Sequence, residues 1–397
     1  MDNGTIRDLA GGANQIVVRD HNERLLLSMI HRNGALASAD IARRTGLSPQ
    51  TVSVILRKLE ADGLLIKGDP VRGKVGKPLT PVALRPSGVL SLGLKIGRRT
   101  CELALMDISG AFRARHHLTY AYPTPDAILA FLREGLAAIH ADLTPFEAGR
   151  ICGIGIAAPF EMWNWLDVLN LAPEAMEAWR GFDFVAEIAK FSAYRVFVCN
   201  DATAACAAEH GYGRGRETSD FAYFFVGYFV GGGVVLNDAI YPGRSGNAGA
   251  FGTLPVGDTA RAGHQLINAA SLYLLERSLS DAGHDPMRIW QGDAGWDGIE
   301  PQLADWIAVA ARNLAVAVVS VASVIDFQAV LIDGGFPVAV RARLAQKIRE
   351  ALVGIDTQGI VLPEIIEGSV GSDARVIGAA SLPITAQYLL SRTAFGG

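Results

Sequence analysis

Cysteine is scarce in this chain: four in 397 residues (Cys101, Cys152, Cys199 and Cys206), each standing alone, with no Cys-x-x-Cys pair. That excludes a cysteine-type zinc site, and single thiols in apolar surroundings read as buried groups in a reducing cytoplasm. Uninterrupted apolar runs long enough to span a bilayer are also missing, and the N-terminal Met-Asp-Asn-Gly-Thr lacks a secretory pattern. A membrane partner is therefore not expected, and the expected location is cytoplasmic. There is no low-complexity segment, and aromatics (8%) and charged residues (19%) are at ordinary levels for a globular protein. With half of its residues hydrophobic, the chain is too long for one compact core and implies two or three domains.

The clearest local signal is Ser38 to Leu65. Ser38 reads as the cap of a short helix carrying Ile41 and Ala42, which Gly46 ends near Leu47. Ser48 then caps a second helix, with Pro49 at the first helical position, where a missing N–H costs nothing. Val52, Ile55, Leu56 and Leu59 follow at the spacing of one buried stripe. Gln50, Thr51, Ser53, Arg57 and Lys58 occupy the opposite face, which holds no carboxylate. A capped helix, a tight turn and a second helix with an apolar back and a basic front predict a helix-turn-helix. Upstream, Leu25, Leu26, Met29 and Ile30 in Asn22 to Asn33 supply a third helix.

Leu64-Leu65-Ile66 and Val82-Ala83-Leu84 predict the two strands of a wing. Glycines between them let Arg72, Lys74 and Lys77 reach phosphates or a minor groove. Residues 1–85 carry 13 Lys and Arg against 8 Asp and Glu, or +5, whereas the remainder carries 23 against 32, or −9. A basic head on an acidic body is the charge layout of a DNA reader with a non-DNA cargo domain.

Beyond a short linker at Arg85-Pro-Ser-Gly88, the pattern is α/β. Val89 to Ile108 reads as a hairpin around Gly97-Arg98-Arg99, followed by a third strand, an amphipathic helix over 126–143, and strands at Ile151–Ile156 and Val196–Cys199. A second unit of the same design follows. Strands at Phe221–Val226 and Gly232–Leu236 precede helices at 264–281 and 302–323, a strand at Ala329–Ile332 and a closing helix at 375–390. Two tandem α/β lobes imply a cleft for a small molecule.

Five motifs now stand in order: Gly93 to Asp107, Gly153-Ile-Gly-Ile-Ala-Ala-Pro159, Asn200-Asp-Ala-Thr-Ala-Ala205, Gly231-Gly-Gly233 and Ser245-Gly-Asn-Ala-Gly249. Behind a winged helix, this series resembles the ROK family of repressors, open reading frames and kinases, over essentially the whole chain. The resemblance implies a two-lobed actin/hexokinase-like fold and two function classes, sugar kinases without the head and sugar-responsive repressors with it. It implies the divisions 1–85 for the DNA-binding head, 86–200 for a first lobe rejoined by 375–397, and 201–374 for a second lobe with the ligand cleft and an oligomerisation surface.

The kinase pattern is altered at several positions. Where family kinases have Asp-x-Gly-Gly-Thr, this chain has Lys95, Gly97, Arg98 and Arg99; where they have Gly-Thr-Gly, it has Gly227-Tyr228-Phe229. Phosphoryl transfer rests on positioning and charge neutralisation, so both losses point away from catalysis. Asp201 matches the family's catalytic base and is expected to be vestigial, serving as a hydroxyl acceptor instead. The kinases' sugar-binding Glu and zinc-binding His are here Ala250 and Thr253, and the cysteines of the zinc site are absent, so neither metal nor other cofactor is expected. Asn170, Asn200, Asp201, Gly246, Asn247 and Thr253 remain for a polyol, although Asn200-Asp201 also suits a helix cap. Trp163 and Trp165 fit a sugar-stacking wall or lobe packing equally, and Arg98 and Arg99 either a new anion site or a solvated hairpin tip.

The expectation is thus a DNA-binding transcriptional repressor that senses a sugar or polyol without phosphorylating it. DNA contacts fall to Ser48, Gln50, Thr51, Ser53, Arg57 and Lys58 on the helix, and to Arg72, Lys74 and Lys77 in the wing. One winged helix reads too few base pairs for genomic selectivity, so a homodimer or homotetramer on an inverted-repeat operator is expected. The alternatives are a bifunctional sugar kinase and regulator, or a regulator controlled by a protein partner.

Overall fold

A computed structural model describes residues 15–69, 80–159, 162, 173–257 and 264–390. The chain divides into two compact units, one ending at Gly88 and taking in Thr385–Leu390, the other running from Val89 to Ile384.

In the head, α1 (Gln15–Asn33), α2 (Ser38–Thr45) and α3 (Pro49–Ala61) surround a core of Leu26, Leu27, Ile30, Ile41, Val52, Ile55, Leu56 and Leu59. Leu27 lies in that core, whereas Leu25 and Met29 are half-buried, so the buried stripe of α1 is turned from the one expected. Gly46 closes α2 in the left-handed conformation (φ 72°), which only glycine adopts cheaply. Ser38 is not the cap expected of it: Ala37 holds that position without a side-chain bond, and Ser38 is the first helical residue. The reason is that Leu36–Ala37 is drawn into a strand, β1, pairing with β3 (Pro81–Leu84). With β2 (Leu65–Lys67) on the other side of β3, the wing is a three-stranded sheet in the order β1-β3-β2. The segment expected as a linker is instead fixed to the head. The Arg85 N–H donates to the Leu64 carbonyl at 2.8 Å, and a side chain on Gly88 would meet the Gly63 carbonyl at 2.6 Å. Thr385–Leu390, assigned by sequence to the first lobe, group with the head; Arg24 donates to the Ala386 carbonyl at 3.1 Å and the Leu390 N–H to Ser28 at 2.7 Å.

The body holds two five-stranded sheets, each with the expected hairpin and a parallel crossover; the edge strands Ala239–Ile240 and Glu364–Glu367 of the second were not expected from the sequence. The first has the order β6-β5-β4-β7-β8, with β4 Leu90–Ile96, β5 Thr100–Asp107, β6 Phe112–Thr119, β7 Ile151–Ala158 and β8 Val196–Asn200. The helix α4 (Pro125–Asp142) packs its Ile128, Leu132 and Ile139 against it. The second has the order β11-β10-β9-β12-β13, with β9 Phe221–Val226, β10 Val230–Leu236, β11 Ala239–Ile240, β12 Ala329–Gly334 and β13 Glu364–Glu367. Three further helices, α5 (Asp201–Tyr212), α8 (Val338–Leu352) and α9 (Ala374–Tyr388), pack with them, and α9 requires bare backbone beneath it. A side chain on Gly155 of β7 would sit 1.8 Å from the Ala379 carbonyl, and one on Gly378 equally close to that of Ala204.

Two departures concern the helices of the second half. The stretch 264–281 is not one helix: Gln265 forms a bridge with Pro255, the His264 carbonyl accepts from the Val256 N–H, and the helix breaks at Ser271 (ψ 151°) before α6 (Leu272–Asp281). The Ser271 hydroxyl there accepts from the Val230 N–H at 2.9 Å, exchanging helix continuity for a tie to β10. Contrary to expectation, α7 (Glu300–Ala322) is long and apolar enough by composition to cross a bilayer, but it buries Trp306, Ile307, Leu314 and Val318 in the second lobe's core. Of the thiols, Cys101 and Cys206 are buried whereas Cys152 and Cys199 are half-buried, and none of the four forms a disulfide.

Candidate functional site

The head presents one clean face. Ser48 accepts from the Thr51 N–H at 3.1 Å, and its hydroxyl lies 2.8 Å from that of Thr51, so both are committed to starting α3. Gln50, Ser53 and Arg57 are exposed, with the Arg57 Nε donating to the Ser53 carbonyl at 3.2 Å. Val54, 52% exposed, completes an i, i+3, i+4, i+7 stripe with them. Its helical spacing from Gln50 and Arg57 is legible in the sequence, but polarity alone does not mark it. An exposed apolar side chain among donors suits a thymine methyl in a major groove. Lys58 does not belong to this face: its ammonium is held by Glu23 of α1, with Asp62 at 3.8 Å. Arg72, Lys74 and Lys77 lie outside the described residues.

In the body, Asn200, Asp201, Asn247 and Thr253 line one cavity of about 240 Å³, together with Arg98, Tyr228 and Arg375. Their assembly follows from topology. Asn200 ends β8 and Asp201 begins α5, while the segment after β11 brings Asn247 and Thr253 to the same opening. Asn200 is a true helix cap, its Oδ1 accepting from the Ala202 and Thr203 N–H groups at 2.9 and 3.3 Å. Its side-chain amide is the group left for a ligand. Thr253 donates to the Ala250 carbonyl at 2.8 Å, and its oxygen can still accept. Gly246 does not line the cavity, and Asn170, Trp163 and Trp165 lie outside the described residues.

Around Asp201 the structure places a partner no sequence pattern revealed. Arg375, at the start of α9 and 174 residues away, sits with its Nη1 3.4 Å from the Asp201 carboxylate. Lys95, on β4, is 8% exposed, and its ammonium donates to Thr100 at 2.9 Å. Burial, and next the charge of Arg375, pull the Lys95 pKa down to about 8.

The loop between β9 and β10 is packed with rings. Tyr228 has its centroid 4.8 Å from Phe229, 5.9 Å from Tyr273 and 6.3 Å from Trp290. The Arg98 guanidinium lies 4.1 Å over the Tyr228 ring, a cation–π contact joining the two hairpins. Gly231 and Gly233 are strand residues of β10, and side chains there would meet Ala202 and Cys206 of α5 at 2.9 and 2.5 Å. The glycines of that motif thus admit a helix. Among the described residues, no three His, Cys, Asp or Glu side chains are grouped to hold a metal ion.

Comparison with known proteins follows this division. Residues 91–266 match the ROK family and residues 19–66 a winged helix-turn-helix DNA-binding family. The chain is 24% identical over 248 residues to the xylose repressor of Bacillus spizizenii, covering 62% of each protein. It is likewise 24% identical over 265 residues to the N-acetylglucosamine repressor of Escherichia coli O157:H7, covering 64% of each. The chain thus spans less than two thirds of either repressor. A crystal structure of a ROK family transcriptional regulator, described as a homologue of the E. coli MLC protein, superposes with a TM-score of 0.66 at 19% identity, covering 94% of this chain and 97% of that one.

Proposed function

Because the chain belongs to the ROK family and carries a winged helix-turn-helix DNA-binding head, we propose that it is a transcriptional repressor whose body binds a sugar or polyol and does not phosphorylate it. The observation that carries this reading is the joining, in one chain, of the exposed stripe Gln50, Ser53, Val54 and Arg57 to a body with a polar cavity built on Asn200, Asp201, Asn247 and Thr253. The head reads base edges in a major groove through that stripe. The body recognises vicinal hydroxyls, which match the paired acceptors and donors of Asn and Asp side chains.

Both positions that the kinase pattern reserves for phosphate contact carry large side chains, and those side chains touch each other. Arg98 stacks on Tyr228, and Tyr228 is walled by Phe229, Tyr273 and Trp290. A phosphate chain threaded between the two hairpins would have to break this contact. Asp201 then serves as a hydroxyl acceptor held by Arg375. A regulator acting on the chromosome works in the cytoplasm, and a single short reading face calls for paired heads on an inverted repeat. A homodimer or homotetramer is therefore part of the proposal, and a strict monomer in sedimentation with operator present would remove it.

The retained Asp201 favours a second reading, a bifunctional kinase and regulator. One experiment separates the two. Pure protein is incubated with Mg-ATP and the sugar that most raises its melting temperature, because binding stabilises the native state by mass action. The repressor reading expects no sustained ADP release, and it expects Asp201→Asn to weaken the sugar response while operator binding by the free protein stays nearly unchanged. Sugar-dependent ADP release that vanishes in Asp201→Asn would establish the kinase.

A further inference from the structure

We infer that the cleft beside the polyol cavity is an anion receptor, and that the effector is an anionic sugar whose phosphate or carboxylate is held by Arg98, Arg375 and Lys95. This inference rests on the sugar-binding reading for the hydroxyl half of the ligand only. The anion half stands on its own geometry.

A second cavity, of about 430 Å³, adjoins the first; Gly97, Arg98, Tyr228 and Arg375 line both. Lys95 and Arg99 line the second alone. Two guanidinium groups therefore stand at the boundary, where a ligand with its hydroxyls on Asn200 and Asp201 would project a substituent. Their donors are not used up. The Nε and Nη1 of Arg98, the Nε of Arg99 and the Nε of Arg375 are all buried, and each lacks a hydrogen-bond acceptor. Buried guanidinium donors without acceptors are costly and uncommon, and a site that keeps several together is arranged for an acceptor supplied from outside.

The carboxylates of the cleft do not fill that role. Glu102 and Asp373 both pair with Arg115. Glu276 accepts from the Trp290 indole N–H and forms no ion pair with Arg98 or Arg99; burial raises its pKa, and the charges of Arg98 and Arg99 lower it. Asp201 is within long reach of Arg375 alone, at 3.4 Å. Lys95 has a hydroxyl as its hydrogen-bond partner and no carboxylate. Asp293 also lines this cavity, but Lys95, Arg98, Arg99 and Arg375 outnumber it and Glu276, so the excess charge around the space is positive. Forked guanidinium donors match the paired oxygens of a phosphate or carboxylate, and the ammonium adds a point charge. The pinning of Arg98 over Tyr228 fixes one fork in advance, which lowers the ordering cost of binding.

The deciding probe is inorganic phosphate, because it needs no knowledge of the sugar. Full-length protein is titrated with phosphate against chloride at matched ionic strength, following the melting temperature and calorimetric heat, for wild type, Arg98→Met, Lys95→Met and Arg98→Lys. The expected result is a saturable stabilisation that weakens by about tenfold in affinity in both Met variants and is partly restored in Arg98→Lys. Glucose, glucose 6-phosphate and glucuronate form the second arm, in which either anionic sugar should bind more tightly than glucose and lose that advantage in Arg98→Met. Preference for the phosphorylated sugar over glucuronate, or the reverse, identifies the anion. Phosphate stabilisation that is absent, or equal in wild type and folded Met variants, overturns the inference and leaves the sugar-binding reading intact. Phosphate binding that depends on Arg98 while no sugar binds would uphold the anion site and remove that reading.

Discussion

Replacing Lys95 by methionine should stabilise the body near neutral pH, with the gain disappearing in alkali. Lys95 is 8% exposed, and burial and Arg375 together pull its pKa from 10.5 to about 8. Glu102, Cys101 and Asp201 act in the opposite sense without cancelling this. A lowered lysine pKa means that the folded state resists the charged form. Below about pH 8 the ammonium is charged in both states, and the native protein bears the whole cost. At ~1.36 kcal/mol per pKa unit, a shift from 10.5 to about 8 amounts to about 3 kcal/mol. Between about pH 8 and 10.5 the unfolded chain binds more protons than the native one, so wild-type stability rises relative to the variant. Methionine matches the stem in length and brings no charge, so the gap should be about 3 kcal/mol near neutrality and close by about pH 10.5. The thiols of Cys101 and Cys152, pushed up to about 12 by burial, act oppositely above their ordinary value of 9. Cys152 does so alike in both proteins, whereas Cys101, whose pKa the Lys95 charge lowers, rises further in the variant and helps to close the gap in alkali. Urea unfolding followed by tryptophan fluorescence reads the body alone, since all six tryptophans follow Val89. A gap that stays constant across this range, or a variant less stable than wild type near neutrality, would refute the assignment of Lys95 as an uncompensated buried cation.

Other perturbations test the head. Arg57→Ala should cost sequence discrimination, by ~1–3 kcal/mol at one base position, measured by competition between operator and mismatched duplexes. Lys74→Ala should instead weaken binding to all sequences alike and lower the salt dependence, so unchanged salt slopes would remove the wing from the interface. Ser48→Ala deletes the cap on the Thr51 N–H and should destabilise the head by ~1 kcal/mol, whereas Ser48→Asp, which retains an acceptor, should not; calorimetry on both variants decides.

Much of this protein was determined by sequence alone because its signals were local. Ser48, Pro49 and the stripe Val52, Ile55, Leu56 and Leu59 specify α3 within a dozen residues, and Gly46 specifies the turn before it through backbone freedom alone. The hairpins and buried strands of both lobes were legible for the same reason, since a parallel sheet covered on both faces demands continuous apolar runs. The order of motifs carries the family resemblance, and of the ligand residues it implied Asn200, Asp201, Asn247 and Thr253 line one cavity, whereas Gly246 does not.

What tertiary structure decided was every feature that depends on an element distant in the chain. Nothing near Ser38 announced that Leu36–Ala37 would be taken by β3, nor near Ser271 that its hydroxyl would serve Val230 and break a helix. Lys58 looked available for phosphate until α1 brought Glu23 beside it. Arg375 carried no local signal, yet it lies against Asp201 because α9 starts at the mouth of the cavity. In sequence, Lys95, Arg98 and Tyr228 were three separate departures from a pattern. Folding places Arg98 on Tyr228 and leaves Lys95 buried at the wall of the same cleft, since charge acts through space, and whether a cation is paired, stacked or stranded depends on what the fold sets within a few ångströms of it.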